Sequence, residues 1–193
     1  PVAYLEFGPS QLNVVVLTHQ DTGAQVQLYE RLTTPLPDDY PDFERFGIPF
    51  NIMQMASNRD TTYAFFTEQL GFATWYHGDP YVSEEEEIMP LGIPPKLTTT
   101  VPYRASIVSP VEGMETGRFE MIEVMGEEAG LTGRDFSASC TASAVGLTDV
   151  IYEVPHTRPV AERLEAAGTT LIMDSGPVLV APDGARIHFQ HSD

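Results

Sequence analysis

Few side chains in these 193 residues have types and spacing suited to chemistry. His188 sits in the run Arg186-Ile-His-Phe-Gln190, between apolar residues that alternate with polar ones. Glu120 and Glu123 occupy a second such run, residues 119–124, and Asp149 and Glu153 a third, residues 149–154. Asn51 heads a fourth, Asn-Ile-Met-Gln-Met. Imidazole, carboxylate and amide side chains on such strands could hold a divalent ion if they met: Mn, Fe, Zn or Mg. Such an ion would polarise a carbonyl or an enediolate as a Lewis acid. Glu153 or Glu123 would then act as a base if burial raised its pKa, and Glu120 joins Glu153 as a catalytic candidate. His19, His77, His156 and His191 have no partner at ligand spacing. No phosphate loop, dinucleotide fingerprint, nucleophile elbow or zinc-protease motif occurs, so no nucleotide cofactor is expected.

These residues act together only if strands aim them at one place. Side chains alternate between the two faces of a strand, so the bulky apolar set marks the packed face and leaves the other set for a cavity. In residues 186–190, Ile187 and Phe189 pack, which leaves Arg186, His188 and Gln190. In residues 149–154, Val150, Tyr152 and Val154 pack, which leaves Asp149, Ile151 and Glu153. Phe119 and Met121 pack and free Glu120 and Ile122. Phe50 and Ile52 pack and free Asn51, Met53 and Met55. The two methionines suit an adaptable pocket and equally suit core packing. Trp75 and Tyr76 could stack on a flat ligand or simply pack.

The strands recur in a pattern. Residues 12–18 and 26–32, residues 104–109 and 119–125, and residues 177–181 and 186–190 each read as a β-hairpin around Gly- and Asp-bearing turns. Two of these hairpins follow a strand-helix-strand unit. In the first unit Asn58 caps a helix with Tyr63, Phe66 and Leu70 on one side and Gly71 at its end. In the second, Thr157 caps a helix with Pro159 in its first turn, Val160, Leu164 and Ala167 on one face, and Gly168 at its end. The expected organisation is a partial three-strand module over 1–32, a linker over 33–48, a β-α-β-β-β module over 49–125, a flexible linker over 126–147 and a second β-α-β-β-β module over 148–191. The stretch 78–102, with Glu84 to Glu87 and five prolines, reads as a long excursion inside a module.

Residues 51–72, a strand followed by a capped helix carrying Ala-Phe-Phe and ending in Leu-Gly-Phe, resemble the opening of a glyoxalase/bleomycin-resistance/dioxygenase module of the vicinal-oxygen-chelate superfamily. Residues 181–190 look like that family's terminal hairpin, and 151–154 with 163–168 resemble the start and helix of a further module. The resemblance implies an α+β fold of repeated β-α-β-β-β modules, whose paired, curved mixed sheets surround a cleft. It also implies metal ligands on the first and fourth strands of each module, which here are Asn51, Glu120, Asp149 and His188. The family pattern favours histidine or glutamine on first strands and glutamate on fourth strands; Asn51, Asp149 and His188 depart from it. The fold hosts lyases, isomerases, dioxygenases and metal-free binding proteins, so it does not select an activity.

Composition narrows the partners. A formal charge of −18 repels phosphate backbones and anionic membranes, so neither nucleic acid nor a membrane is expected. No apolar run approaches the ~20 residues needed to cross a bilayer, and no leader pattern opens the sequence. Cys140 is the single cysteine, in keeping with a reducing cytoplasm. The expected partners are a small-molecule ligand and a second copy in a homodimer. Three readings stay open: a metal-dependent lyase, isomerase or dioxygenase on an oxygenated substrate; a metal-free protein that sequesters an aromatic or drug-like ligand; and an interaction protein that kept the fold and lost the site.

Overall fold

The computed structural model describes residues 2–4, 10–21, 24–33, 35–36, 40, 42–89, 93–114, 116–127, 130–132, 149–166, 168–173 and 176–192. Ala167, Cys140 and residues 133–148, which take in most of the expected linker, lie outside them. The chain divides into two compact units: residues 1–49 with 81–102, and residues 50–80 with 103–193.

The first unit holds three antiparallel strands in the order β1 (Val2–Tyr4), β2 (Ser10–Thr18), β3 (Gln25–Arg31). The β2–β3 register places Leu17 opposite Val26 and Val15 opposite Leu28. Asn13 donates to Glu30 across the same pair of strands at 2.8 Å. In the 81–102 stretch, the Ser83 amide donates to Thr98 O, and the Glu87 amide donates to the Thr98 hydroxyl. A short 3₁₀ turn, Pro95–Leu97, precedes Thr98. Glu87 also accepts from the Ser83 hydroxyl, so the acidic run is anchored at its end.

The second unit carries two sheets of one design. In the first, β4 (Asn51–Met55) leads into α1 (Arg59–Ala64), which continues as a π-helical turn over Phe65–Gln69, and then into β5 (Ala73–His77), β6 (Tyr103–Ser109) and β7 (Arg118–Gly126). The strand order is β4-β7-β6-β5, and β4 runs parallel to β7. A two-residue strand β8 (Leu131–Thr132), in a stretch the sequence reads as linker, pairs with the end of β7. In the second sheet, β9 (Asp149–Val154) leads through α2 (Thr157–Ala166) to β10 (Ile172–Met173), β11 (Pro177–Val180) and β12 (Arg186–His191). The order β10-β11-β12-β9, with β9 parallel to β12, repeats the first design.

Local chemistry explains these elements. The Asn58 side chain accepts from the Thr61 amide and caps α1. Gly71 leaves the helix at φ 72° and Gly168 follows α2 at φ 79°, a conformation that suits glycine. The helix-facing residues form one core that spans both sheets: Phe65, Phe66 and Leu70 with Val108, Phe119 and Met121, and Leu164 with Val150, Leu179, Ile187 and Phe189. Phe66 stacks on Phe119 at 4.4 Å, and Phe72 meets Tyr152 edge-on at 5.3 Å. Ile52, expected to pack, is 37% exposed, because β4 is an edge strand of its sheet.

A polar clamp adds to this core. Asp183, at φ 65° in the Pro-Asp-Gly turn, is buried. Its carboxylate accepts from the Ser57 amide at 2.9 Å, from the Ser57 hydroxyl and from Thr62 Oγ1. Gln54 donates to the Pro182 carbonyl beside it. The β11–β12 turn is therefore tied to the start of α1. A buried carboxylate satisfied by several donors is stable where an unsatisfied one would not be.

Candidate functional site

Register fixes which side chains share a face. Residues opposite one another in a parallel pair point the same way, so Asn51, Met53 and Met55 share the helix-free face with Arg118, Glu120 and Ile122. Ala105 and Ile107 join them from β6. In the second sheet the helix-free face carries Asp149, Ile151 and Glu153 with Arg186, His188 and Gln190. Val178 and Val180 join from β11, and Ile172 from β10.

The two faces repeat one motif. Asn51 lies opposite Arg118, and Glu120 is two residues further along β7. Asp149 lies opposite Arg186, and His188 is two residues further along β12. In each sheet the first-strand residue reaches diagonally to the fourth-strand residue. Asn51 Nδ2 donates to Glu120 Oε2 at 3.1 Å. His188 Nε2 and Asp149 Oδ1 are 2.6 Å apart, with Arg186 Nε 3.3 Å from the same oxygen. The polarity is inverted: in the first sheet the first strand donates, and in the second it accepts.

Surroundings separate the pairs. Around Asn51 and Glu120 the face is buried: Arg118, Ile107, Ile122 and Ala105 are shielded, and Glu120 is 7% exposed. The Arg118 guanidinium lies 4.3 Å from the Trp75 ring centroid and 5.5 Å from that of Phe50. Trp75 reaches it from a bulge in β5, where the register slips between Thr74 and Tyr76. Around Asp149 and His188 the face is open. Ile151 is 54% exposed, and Ile172 and Val180 are exposed as well.

The four expected metal ligands thus meet two by two. Among the described residues no group of three His, Cys, Asp or Glu side chains is disposed to hold an ion, so Glu120, Asp149 and His188 do not share one point. A tight zinc or iron centre takes three or four protein donors, and each pair offers two, already bonded to each other. The set does not fit a single divalent ion.

The expected bases also find other places. Glu153 stands exposed, level with Gln190. Glu123 accepts from Arg104 Nε and Nη2 and from the Arg59 amide at the start of α1. Asp60 contacts both Arg59 and Arg104. A carboxylate at a helix N-terminus held by an arginine is a structural brace. Burial alone would depress the Arg104 pKa, but Glu123 and Asp60 outweigh it and raise it. The sequence does not mark Arg118, because it precedes the apolar run that opens at Phe119. Two-residue alternation from Glu120 would have put it on the same face.

No family model matches the sequence, and no curated protein matches it. Solved structures do match. Glyoxalase I from Zea mays superposes with a TM-score of 0.57 at 15% identity, over 92% of this chain and 53% of that one. The chain has the vicinal-oxygen-chelate fold. A point mutant of the same maize glyoxalase I superposes with a TM-score of 0.54 at 14% identity, over 94% of this chain and 60% of that one. The chain therefore spans little more than half of the maize enzyme. TnmS3, an antibiotic-binding protein from Streptomyces sp. CB03234, matches 78% of this chain at 11% identity with a TM-score of 0.49. At these identities the likeness concerns the fold alone.

Proposed function

We propose that this protein binds a small oxygenated, largely apolar molecule on the open face of the β9–β12 sheet. Ile151, Ile172 and Val180 form the apolar platform, and Arg186 and His188, both held by Asp149, orient the ligand's oxygen atoms. The observation that carries this reading is the split of equivalent positions: Glu120, bonded to the half-buried Asn51, is buried, whereas Asp149, paired with the half-buried His188, is exposed and borders the exposed Ile151, Ile172 and Val180. Ligand sites combine apolar lining with a few placed polar groups, and that face has both. The pairing of donors favours sequestration over metal-assisted turnover.

The alternative is a metal-dependent lyase, isomerase or dioxygenase. Calorimetry with catechol and 1,4-naphthoquinone, alongside elemental analysis of the purified protein, separates the two. Metal-independent binding that weakens in both His188→Ala and Ile151→Asp supports sequestration. Stoichiometric Mn, Fe or Zn that is lost in His188→Ala and required for turnover would overturn it in favour of the enzyme.

A further inference from the structure

The β2–β3 hairpin presents an exposed apolar face whose place in the fold can be worked out from its hydrogen bonds. His19 donates to Ala24 O, and Leu32 donates to Gln11 O. Both are directly opposed residues in the β2–β3 register, so the hydrogen-bonded pairs are 11–32, Asn13–Glu30, Val15–Leu28, Leu17–Val26 and 19–24. In β11–β12 the Ala181 amide donates to Ala185 O, so Leu179–Ile187 is a hydrogen-bonded pair there. Hydrogen-bonded pairs of an antiparallel hairpin all point to one face. Backbone chirality makes it the same face in every hairpin of the same strand order. Leu179 and Ile187 pack with Leu164 of α2, so in the second unit that face is the helix-bearing one. The strand order β1-β2-β3 matches β10-β11-β12. Val15, Leu17, Val26 and Leu28 therefore stand where a sheet of this design carries its helix. Yet Val15, Leu17 and Val26 are 53%, 53% and 55% exposed.

We propose that this face is the docking surface for an amphipathic, cationic helix of a partner protein. A second folded copy has no helix to lend, because the apolar sides of α1 and α2 already lie in its own core. A second copy also carries the same charge of −18, which favours a cationic partner over a like one. The helix would place apolar residues three and four apart over the four side chains, the spacing that fits one helix face.

The test uses a fluorescein-labelled 18-residue Leu/Lys peptide with leucines at helical spacing, and a scrambled peptide of the same composition. Fluorescence anisotropy with the full chain should show saturable binding at least tenfold tighter for the amphipathic peptide. Leu17→Asp and Val26→Asp should each weaken it at least tenfold, while Val111→Asp, an exposed site in the other unit, should leave it unchanged. Circular dichroism checks folding, and Val15→Ser serves if an aspartate variant misfolds. Equal affinity for both peptides would reduce the effect to charge attraction and overturn the proposal. Unchanged binding by the variants would overturn it, as would a homodimer in sedimentation that Leu17→Asp dissolves.

Discussion

The two sheets of the second unit share strand order, register and even the positions of their polar residues, yet they treat those residues in opposite ways. Asn51, Arg118 and Glu120 sit where Asp149, Arg186 and His188 sit in the other sheet. In the first sheet the group is walled in, with Arg118 stacked on Trp75 and fully buried. In the second it borders an exposed apolar surface. Topology therefore sets where a polar group can be aimed, and burial decides whether it braces the fold or meets a ligand. A buried hydrogen-bonded pair is costly to break, whereas a pair near solvent contributes little to stability and keeps its chemistry available.

The largest effect should come from the two arginines. Arg118→Ala removes a fully buried side chain and its stacking on two rings, and should cost about 3 kcal/mol or more in denaturant unfolding. Arg186→Ala removes a side chain that keeps some solvent contact and pairs with the more exposed Asp149, and should cost less than Arg118→Ala. Equal losses would break the contrast between the sheets.

Much of the fold was legible because it rests on local rules. Alternation in residues 186–190 and 149–154 assigned their faces as the register has them, and Asn58, Gly71 and Gly168 marked helix ends. The sequence could not show which equivalent positions would be covered. Glu120 and His188 look alike as polar residues in apolar strands, and only long-range packing separates them. Glu123 looked like a possible base, but its partners Arg104 and Arg59 lie 19 and 64 residues away. Ile52 was expected inside because it is apolar, and its exposure follows from the edge position of β4.

The next contrast concerns the paired residues. Asn51→Ala leaves the buried Glu120 carboxylate without its amide donor, so stability should fall by about 1–3 kcal/mol. Asp149→Ala should cost less, because its pair lies closer to solvent. It should instead lower affinity for the oxygenated aromatic ligand several-fold in calorimetry by releasing Arg186 and His188. A stability loss in Asp149→Ala as large as that in Asn51→Ala would show that the second pair is also a brace.

The smallest expected effect lies on the side where the two sheets are alike. Tyr152 of β9 joins the shared core, edge-on to Phe72 and donating its hydroxyl to Gly117 O at 3.3 Å. Burial raises the pKa of its phenol well above the ordinary value of 10. The unfolded chain releases this proton near pH 10, while the folded chain holds it. Above that pH the unfolded state binds fewer protons than the native state, so the slope of stability against pH is negative. The Tyr152 contribution is thus neutral at pH 7 and destabilises the fold as pH rises beyond 10. Urea midpoints at pH 7 and pH 10.5 should differ less in Tyr152→Phe than in the parent protein, since phenylalanine keeps the ring contacts and has no proton to lose. An unchanged difference would mean that the phenol reaches solvent, and that the core joining β9 to the first sheet is looser than the packing of Phe72 and Tyr152 implies.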